Sequence, residues 1–510
     1  MTALLVSRTV LRKLRLVGVF TAAVALGSLV VAGASWGAGY DPGSDANSMY
    51  AMTQYTGAQA WWDAGYTGSG VDVAVIDSGV SPVPGLSSSA KVIYGPDLSL
   101  ESQAPNLTQL DSFGHGTFMA GLIAADQGTG TALSANSSTS IYRGMAPGAR
   151  IVSIKVGTAD GGTDVTQVIA AIDWVVQHAH DPGMNIRVLN LSYGTDSHQS
   201  YTVDPLAFAA EQAWKHGIVV VAAAGNTGYQ RGHGAPGLAD PAYDPYVIGV
   251  GGYDTSGTGA VDDDSMGGYS ASGGCSKECK NPDFVAPGSH LQGLRVPGSY
   301  IDQTHPEGAL GDLYVRGSGT SQATAVTSGM VALILQKYPN LTPDQVKQFI
   351  TNNAQRLPGA DDQAQGAGEI NLNALAASNA PGYVPAPCPK VVKGQLALPC
   401  SPKLAKSDPP QKFADSSGTG SIEQARGTDH VSQNGVALTG EQDIFGKSVD
   451  TTALATAEAT ASSWSGGNWN GSSWSGSSWS ASSWSGSSWS GSSWSGSSWS
   501  GSSWSGSSWS

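Results

Sequence analysis

Three short segments of this chain carry side chains suited to nucleophilic chemistry. Val73-Ala74-Val75-Ile76-Asp77-Ser78-Gly79 puts a carboxylate directly after an apolar run. Gly114-His115-Gly116-Thr117 puts an imidazole in front of the helical run 118–125. Gly317-Ser318-Gly319-Thr320-Ser321-Gln322-Ala323 puts a hydroxyl ahead of the apolar run 325–335, where a helix dipole favours negative charge. A hydroxyl attacks a carbonyl when a base takes its proton. An imidazole serves as that base when a carboxylate fixes its tautomer. Asp77, His115 and Ser321 are thus the parts of an acyl-transfer triad. Taken singly, each has an ordinary reading: a turn-capping Asp, a packing turn, one solvated His among nine.

These groups lie far apart in sequence, so the fold must gather them. Apolar runs at 71–76, 150–156, 188–191, 218–224 and 247–250 are short, rich in Val and Ile, and do not alternate with polar residues. Such strands are buried on both faces, as in a parallel sheet. Helical patterns at 165–179 and 206–216 lie between them. The alternation predicts an α/β fold, a doubly wound and mostly parallel central sheet with helices on both faces. Sheets of that kind carry their sites at the C-terminal ends of strands, where Asp77 stands. Thr342-Pro343-Asp344-Gln345 has the signature of a helix start, followed by an apolar face of Val346, Phe349 and Ile350.

Composition narrows the function classes. The chain has 510 residues, a net charge of −14 and 68 Gly. Its 13% of charged residues is roughly half the usual share. That balance argues against a nucleic-acid binder. Beyond the N-terminus no apolar run is long enough to span a membrane. Arg8, Arg12, Lys13 and Arg15 precede the apolar stretch 16–31 and the small residues Ala32-Gly33-Ala34. This reads as a secretory signal peptide over residues 1–34, with an uncleaved anchor as the alternative. Export implies paired cysteines. Of three connectivities, Cys275–Cys279 with Cys388–Cys400 is preferred, because each pair flanks a short loop. Cys275 and Cys279 lack the further ligands of a metal site, and Asp262-Asp263-Asp264 reads as a solvated turn. The expected divisions are a leader (1–34), a short segment (35–49), the packed body (50–377), a Pro/Lys-rich stretch with a Cys pair (378–415), a polar linker (416–460) and repeats (461–510).

In the order Asp, His, Ser, the three segments resemble the subtilisin-like serine peptidases, the subtilases. Ala222-Ala223-Ala224-Gly225-Asn226 resembles the stretch that carries that family's oxyanion-hole Asn. Leu189-Asn190-Leu191-Ser192-Tyr193-Gly194 resembles the strand that pairs with substrate backbone. The resemblance implies a subtilisin-like body and a secreted serine endopeptidase. It implies Ser321 as nucleophile, His115 as base and then acid, and Asp77 as the group that orients the imidazole. Asn226 and the Ser321 N–H would bind the oxyanion. Ser192, Tyr193 and Gly194 would hold extended polypeptides through main-chain hydrogen bonds, giving broad specificity. No cofactor is required; many subtilases bind calcium, but no ligand spacing here supports a site. Polypeptide substrates are the expected partners, with no nucleic acid, and a monomer is expected. Two departures stand out. Residue 325 is Ala where the family usually has Pro. Residues 35–49 leave no room for an N-terminal pro-domain, so folding is expected without one or with help from the C-terminal region.

From Ser462 onward Ser-Ser-Trp-Ser-Gly recurs every five residues, and ten of the fifteen Trp fall between residues 464 and 509. In one strand successive indoles would alternate faces; in a helix they would encircle the axis. The tail therefore reads as a low-complexity, disordered Ser/Gly chain displaying indoles. Many weak indole contacts would retain the protein at a cell envelope or on polysaccharide. A pentapeptide-repeat solenoid is a weaker reading, since Trp is large for such an interior. The rival from another function class is an inactive surface adhesion protein that works through this tail.

Overall fold

The computed structural model describes residues 40–102, 104, 106–128, 138–228, 237–273, 280–381, 383–384, 403–404, 411–433, 435–474 and 484–485. The four cysteines, the leader and most of the repeats lie outside the described residues. The core is an eight-stranded sheet. Its strands are β1 (Asp72–Asp77), β2 (Val92–Asp97), β3 (Arg150–Lys155), β4 (Ile186–Leu191), β5 (Val219–Ala223), β6 (Ile248–Asp254), β7 (Ser265–Met266) and β8 (Phe284–Pro287). They run in the order β2-β3-β1-β4-β5-β6-β7, with β8 also on β6. Every pairing is parallel except β6 with β7. Val73, Ala74, Val75 and Ile76 are all buried. Each such Val or Ile contributes about 1.5–3 kcal/mol relative to exposure.

The five expected strands are present, four of them within two residues of their read bounds; the fifth, read as 247–250, runs on to Asp254. β2, β7 and β8 carry no such signal. β2 holds Gly95 and Pro96 and lies half-buried at the edge of the sheet, where a missing N–H is tolerated. β7 is two residues long. The chain leaves β1 toward one side of the sheet and leaves β4 toward the other, so the crevice past their carboxyl ends is a topological switch point.

Helices cover both faces. His115–Ala124 packs on Thr320–Lys337, and Val165–His178 packs on Pro205–Lys215. Asp164 and Gln167 form a reciprocal capping box at the start of Val165–His178. The expected helix start at Thr342 is also present, with Thr342 and Gln345 exchanging hydrogen bonds and Val346, Phe349 and Ile350 buried.

The C-terminal region differs from its reading as a linker and loose tail. The helices Ile422–Arg426 and Thr451–Ala459 lie against the body. Ile422, Ala425, Val431, Leu438, Ile444 and Val449 are buried. Arg426 pairs with Asp164 at 2.6 Å, both side chains fully buried, and its other nitrogens donate to the carbonyls of Gly440 and Gln442. Elements this short leave no periodicity to read, so the composition alone suggested a linker. The first repeats fold as three two-residue antiparallel strands, Trp464–Ser465, Asn468–Trp469 and Ser472–Ser473. Trp464 lies opposite Trp469, and Trp469 opposite Ser472. Trp474, two residues beyond Ser472, shares its face, so the register puts all three indoles on one side. A period of five alternates faces only in a continuous strand; here each repeat turns back on the last. Trp469 and Trp474 are fully buried, with the Trp464 indole N–H on the Ala170 carbonyl at 2.8 Å and that of Trp469 on Asp173 at 2.6 Å.

Candidate active site

Asp77 is the last residue of β1 and His115 the first of its helix. The His115 Nδ1 lies 2.8 and 2.9 Å from the two Asp77 oxygens, with both side chains buried. That contact assigns the ring proton to Nδ1 and turns Nε2 away from the carboxylate. Two further residues fix the pair. Ser78 donates its backbone N–H to Asp77 at 2.8 Å, and its hydroxyl accepts from the Gly116 N–H at 3.0 Å. Asp111 accepts the N–H groups of Gly114 and Thr117, each at 2.7 Å, and the Ser78 hydroxyl at 2.8 Å. It therefore caps the histidine helix in place of Gly114, which has no side chain and a φ of 106°. Burial pushes the Asp111 carboxyl above the ordinary range, against the pull of those N–H donors. Gly116 is required by close approach: a Cβ there would sit 2.2 Å from the Gly79 carbonyl oxygen.

Ser321 stands in the first turn of Thr320–Lys337 and is buried. Its hydroxyl lies 3.4 Å from the Ser192 carbonyl, and the Ser192 hydroxyl donates to the Ser321 carbonyl at 3.0 Å. β1 and β4 are paired with Val75 level with Asn190. Two residues further along each strand, the chain brings Asp77 and Ser192 to the same edge of the sheet. That edge holds Asp77 and, through Ser192, Ser321, and the helix that His115 heads packs on the helix that carries Ser321.

Asn226 follows β5 and is held by one neighbour. Its Oδ1 accepts both the backbone N–H and the hydroxyl of Thr320, each at 2.9 Å. A backbone N–H only donates, so the amide oxygen must face Thr320 and the NH2 must face the other way. The Thr320 hydroxyl in turn accepts the Gly225 N–H at 3.2 Å. Asn226 Nδ2 then lies 3.5 Å from where a Cβ on Gly319 would stand, beside the Ser321 turn.

Among the other sequence candidates, Ser192 is tied to Ser321, Tyr193 is buried, and Gly194 packs so tightly that a Cβ would fall 2.7 Å from that of Ala239. Cys275, Cys279, Cys388 and Cys400 lie outside the described residues. Asp264 is not part of a solvated turn: it is buried, accepts the Tyr55 hydroxyl and sits beside Glu369. Among the described residues no cluster of His, Cys, Asp and Glu has the make-up of a metal site. The carbonyls of Ala242, Asp244 and Val247 converge instead on the ammonium of Lys280, at 2.7 to 2.9 Å, so the chain supplies that cation itself. Ala325 continues the serine helix as a buried residue without a break. Sequence reasoning missed Ser78, Asp111 and Thr320. An Asp four residues before a Gly-flanked His, and a hydroxyl directly before the Ser, were the available signals.

Comparison with known proteins bears on the family and the fold. The sequence model described as the subtilase family matches residues 68–368. Serine protease AprX of Bacillus subtilis is 36% identical over 308 residues, covering 60% of this chain and 66% of AprX. Subtilisin DY of Bacillus licheniformis is 30% identical over 312 residues, covering 61% of this chain and 93% of that protein. Among solved structures, fervidolysin from Fervidobacterium pennivorans, described as a keratinolytic enzyme related to subtilisin, superposes with a TM-score of 0.51 and 26% identity. That match covers 67% of this chain and 48% of fervidolysin.

Proposed function

The chain belongs to the subtilase family, and from that premise we propose that it is a serine endopeptidase with Asp77, His115 and Ser321 as its triad. Ser321 Oγ attacks the peptide carbonyl. His115 Nε2 takes the proton and passes it to the leaving amine. Asp77 holds the ring and stabilises the imidazolium. Asn226 Nδ2 and the Ser321 N–H receive the oxyanion. Extended polypeptides lie along residues 192–194 as an added strand. The observation that carries the reading is the Asp77–His115 contact at 2.8 Å, set on the sheet edge where Ser321 begins its helix. Secretion, with removal of residues 1–34, belongs to the same proposal. So does a role for the indoles beyond residue 474 in holding the enzyme to an envelope or polysaccharide.

A fluorophosphonate probe tests the triad. The full chain is expected to label at Ser321, and His115→Ala to lose labelling while remaining folded by circular dichroism. A folded chain that does not label at all would overturn the proposal in favour of an inactive adhesive protein.

A further inference from the structure

The C-terminal region does not pack on an arbitrary surface. In a parallel sheet each connection from a strand to its following helix lies at the carboxyl edge, the edge that holds the site. Asp164 and Asp204 are the N-caps of the two helices that follow β3 and β4, so both stand on that rim. The segment 421–430 docks there. Arg426 pairs with Asp164, and Gln199, beside Asp204, donates to the Ser421 carbonyl at 2.9 Å.

The docking is closest at the end of the stretch that begins beside Ser321. The Thr195 hydroxyl donates to the Ala425 carbonyl at 2.6 Å. The Asp196 carboxylate accepts the N–H and the hydroxyl of Thr428, each at 2.7 Å. Gly427 has a φ of 63°, and a Cβ there would meet Asp196 Oδ1 at 2.0 Å. Only glycine fits that approach, so the junction is built into the sequence. The Thr195 backbone is also engaged, exchanging both of its hydrogen bonds with Asp240 at 3.0 Å. A strand added along this stretch can pair with residues 192–194, and at Thr195 it meets occupied backbone and the 425–428 turn.

We propose that the segment 421–430 is the end wall of the substrate groove and restricts recognition to about three residues on one side of the scissile bond, one for each recognising residue. This rests on the endopeptidase reading above. In an antiparallel addition starting at Ser192, the paired residues lie N-terminal to the cut. The enzyme therefore selects substrate by a short acyl-side stretch, and further residues in that direction contribute no strand pairing.

Peptides of fixed sequence after the scissile bond, with N-terminal stretches lengthened one residue at a time, test this in the full chain. The expected kcat/KM rises up to the third residue and then levels. Gly427→Ala, which forces the turn off Asp196, and Arg426→Ala, which frees the segment from Asp164, are expected to restore a rise beyond the third residue. That rise should be about fivefold, the size of one net hydrogen bond. A continued rise of that size in the unaltered chain would overturn the wall. Soluble, active variants that level off just as the unaltered chain does would overturn it too. Failure of the unaltered chain to cut any peptide would instead overturn the endopeptidase reading, and the wall with it.

Discussion

Asn226 can serve an oxyanion only with its NH2 turned toward the substrate, and Thr320 makes that choice. Thr320→Val keeps the backbone donor but removes the hydroxyl and the acceptor for Gly225. We expect kcat to fall about tenfold with KM nearly unchanged, since the lost contact acts on charge that develops in the transition state. Thr320→Ser should recover most of the loss. A fall in Tm with kcat intact would show a purely structural role. Asn226→Ala should cost more, about 10²–10³-fold in kcat, a magnitude measured on a subtilisin.

Asp111 lies outside the proposed triad, yet the histidine helix depends on it. Its carboxylate replaces the side-chain cap that Gly114 cannot supply and holds Ser78 against Asp77. Asp111→Ala should lower stability by about 0.5–2 kcal/mol, the range for a lost cap, read as a lower denaturant midpoint. Activity per folded molecule should fall as well, because His115 heads the freed helix. Elements with a strong local signal were legible before any coordinates. The Val-rich strands read as buried because they do not alternate, and the helix after Thr342 read from its capping box. The candidate residues Asp77, His115 and Ser321 were picked out by their motifs, though no local pattern says which strands become neighbours. What escaped were elements defined by distant partners. β2 gains its place from β3 rather than from its own Gly and Pro, and Asp111 looks like any polar loop residue until Gly114 and Thr117 turn toward it.

Two of the buried points that fasten the C-terminal region to the body are built from ionisable side chains. Arg426 and Asp164 form a hydrogen-bonded ion pair. Asp173 and Glu458 instead bring two carboxyls together beneath Trp469 and Ser463. Burial pushes Asp173 from 3.8 up to about 7, against hydrogen bonds from Trp469, Ser463 and Glu458. Burial and the charge of Asp173 hold Glu458 well above its usual range. A raised folded pKa gives stability that is full below the unfolded value and is lost as pH rises through the folded one. The attachment should therefore weaken between about pH 4 and about pH 7. Limited trypsin digestion of Ser321→Ala protein should cut the chain near Lys447 faster at about pH 8 than at about pH 6, once trypsin's own pH dependence is normalised on an unstructured peptide. Glu458→Gln should flatten the difference, and equal normalised rates in the unaltered chain would sink the prediction. The face shared by Trp464, Trp469 and Trp474 has a consequence for how such a tail can change over generations. Because the described repeats between Trp464 and Trp474 reverse the chain at each five-residue unit, adding or deleting a whole unit there keeps the rings in phase, whereas one inserted residue would throw the next ring to the opposite side. Copy number is then free to drift while spacing is held fixed, which is the pattern left by duplication of complete units.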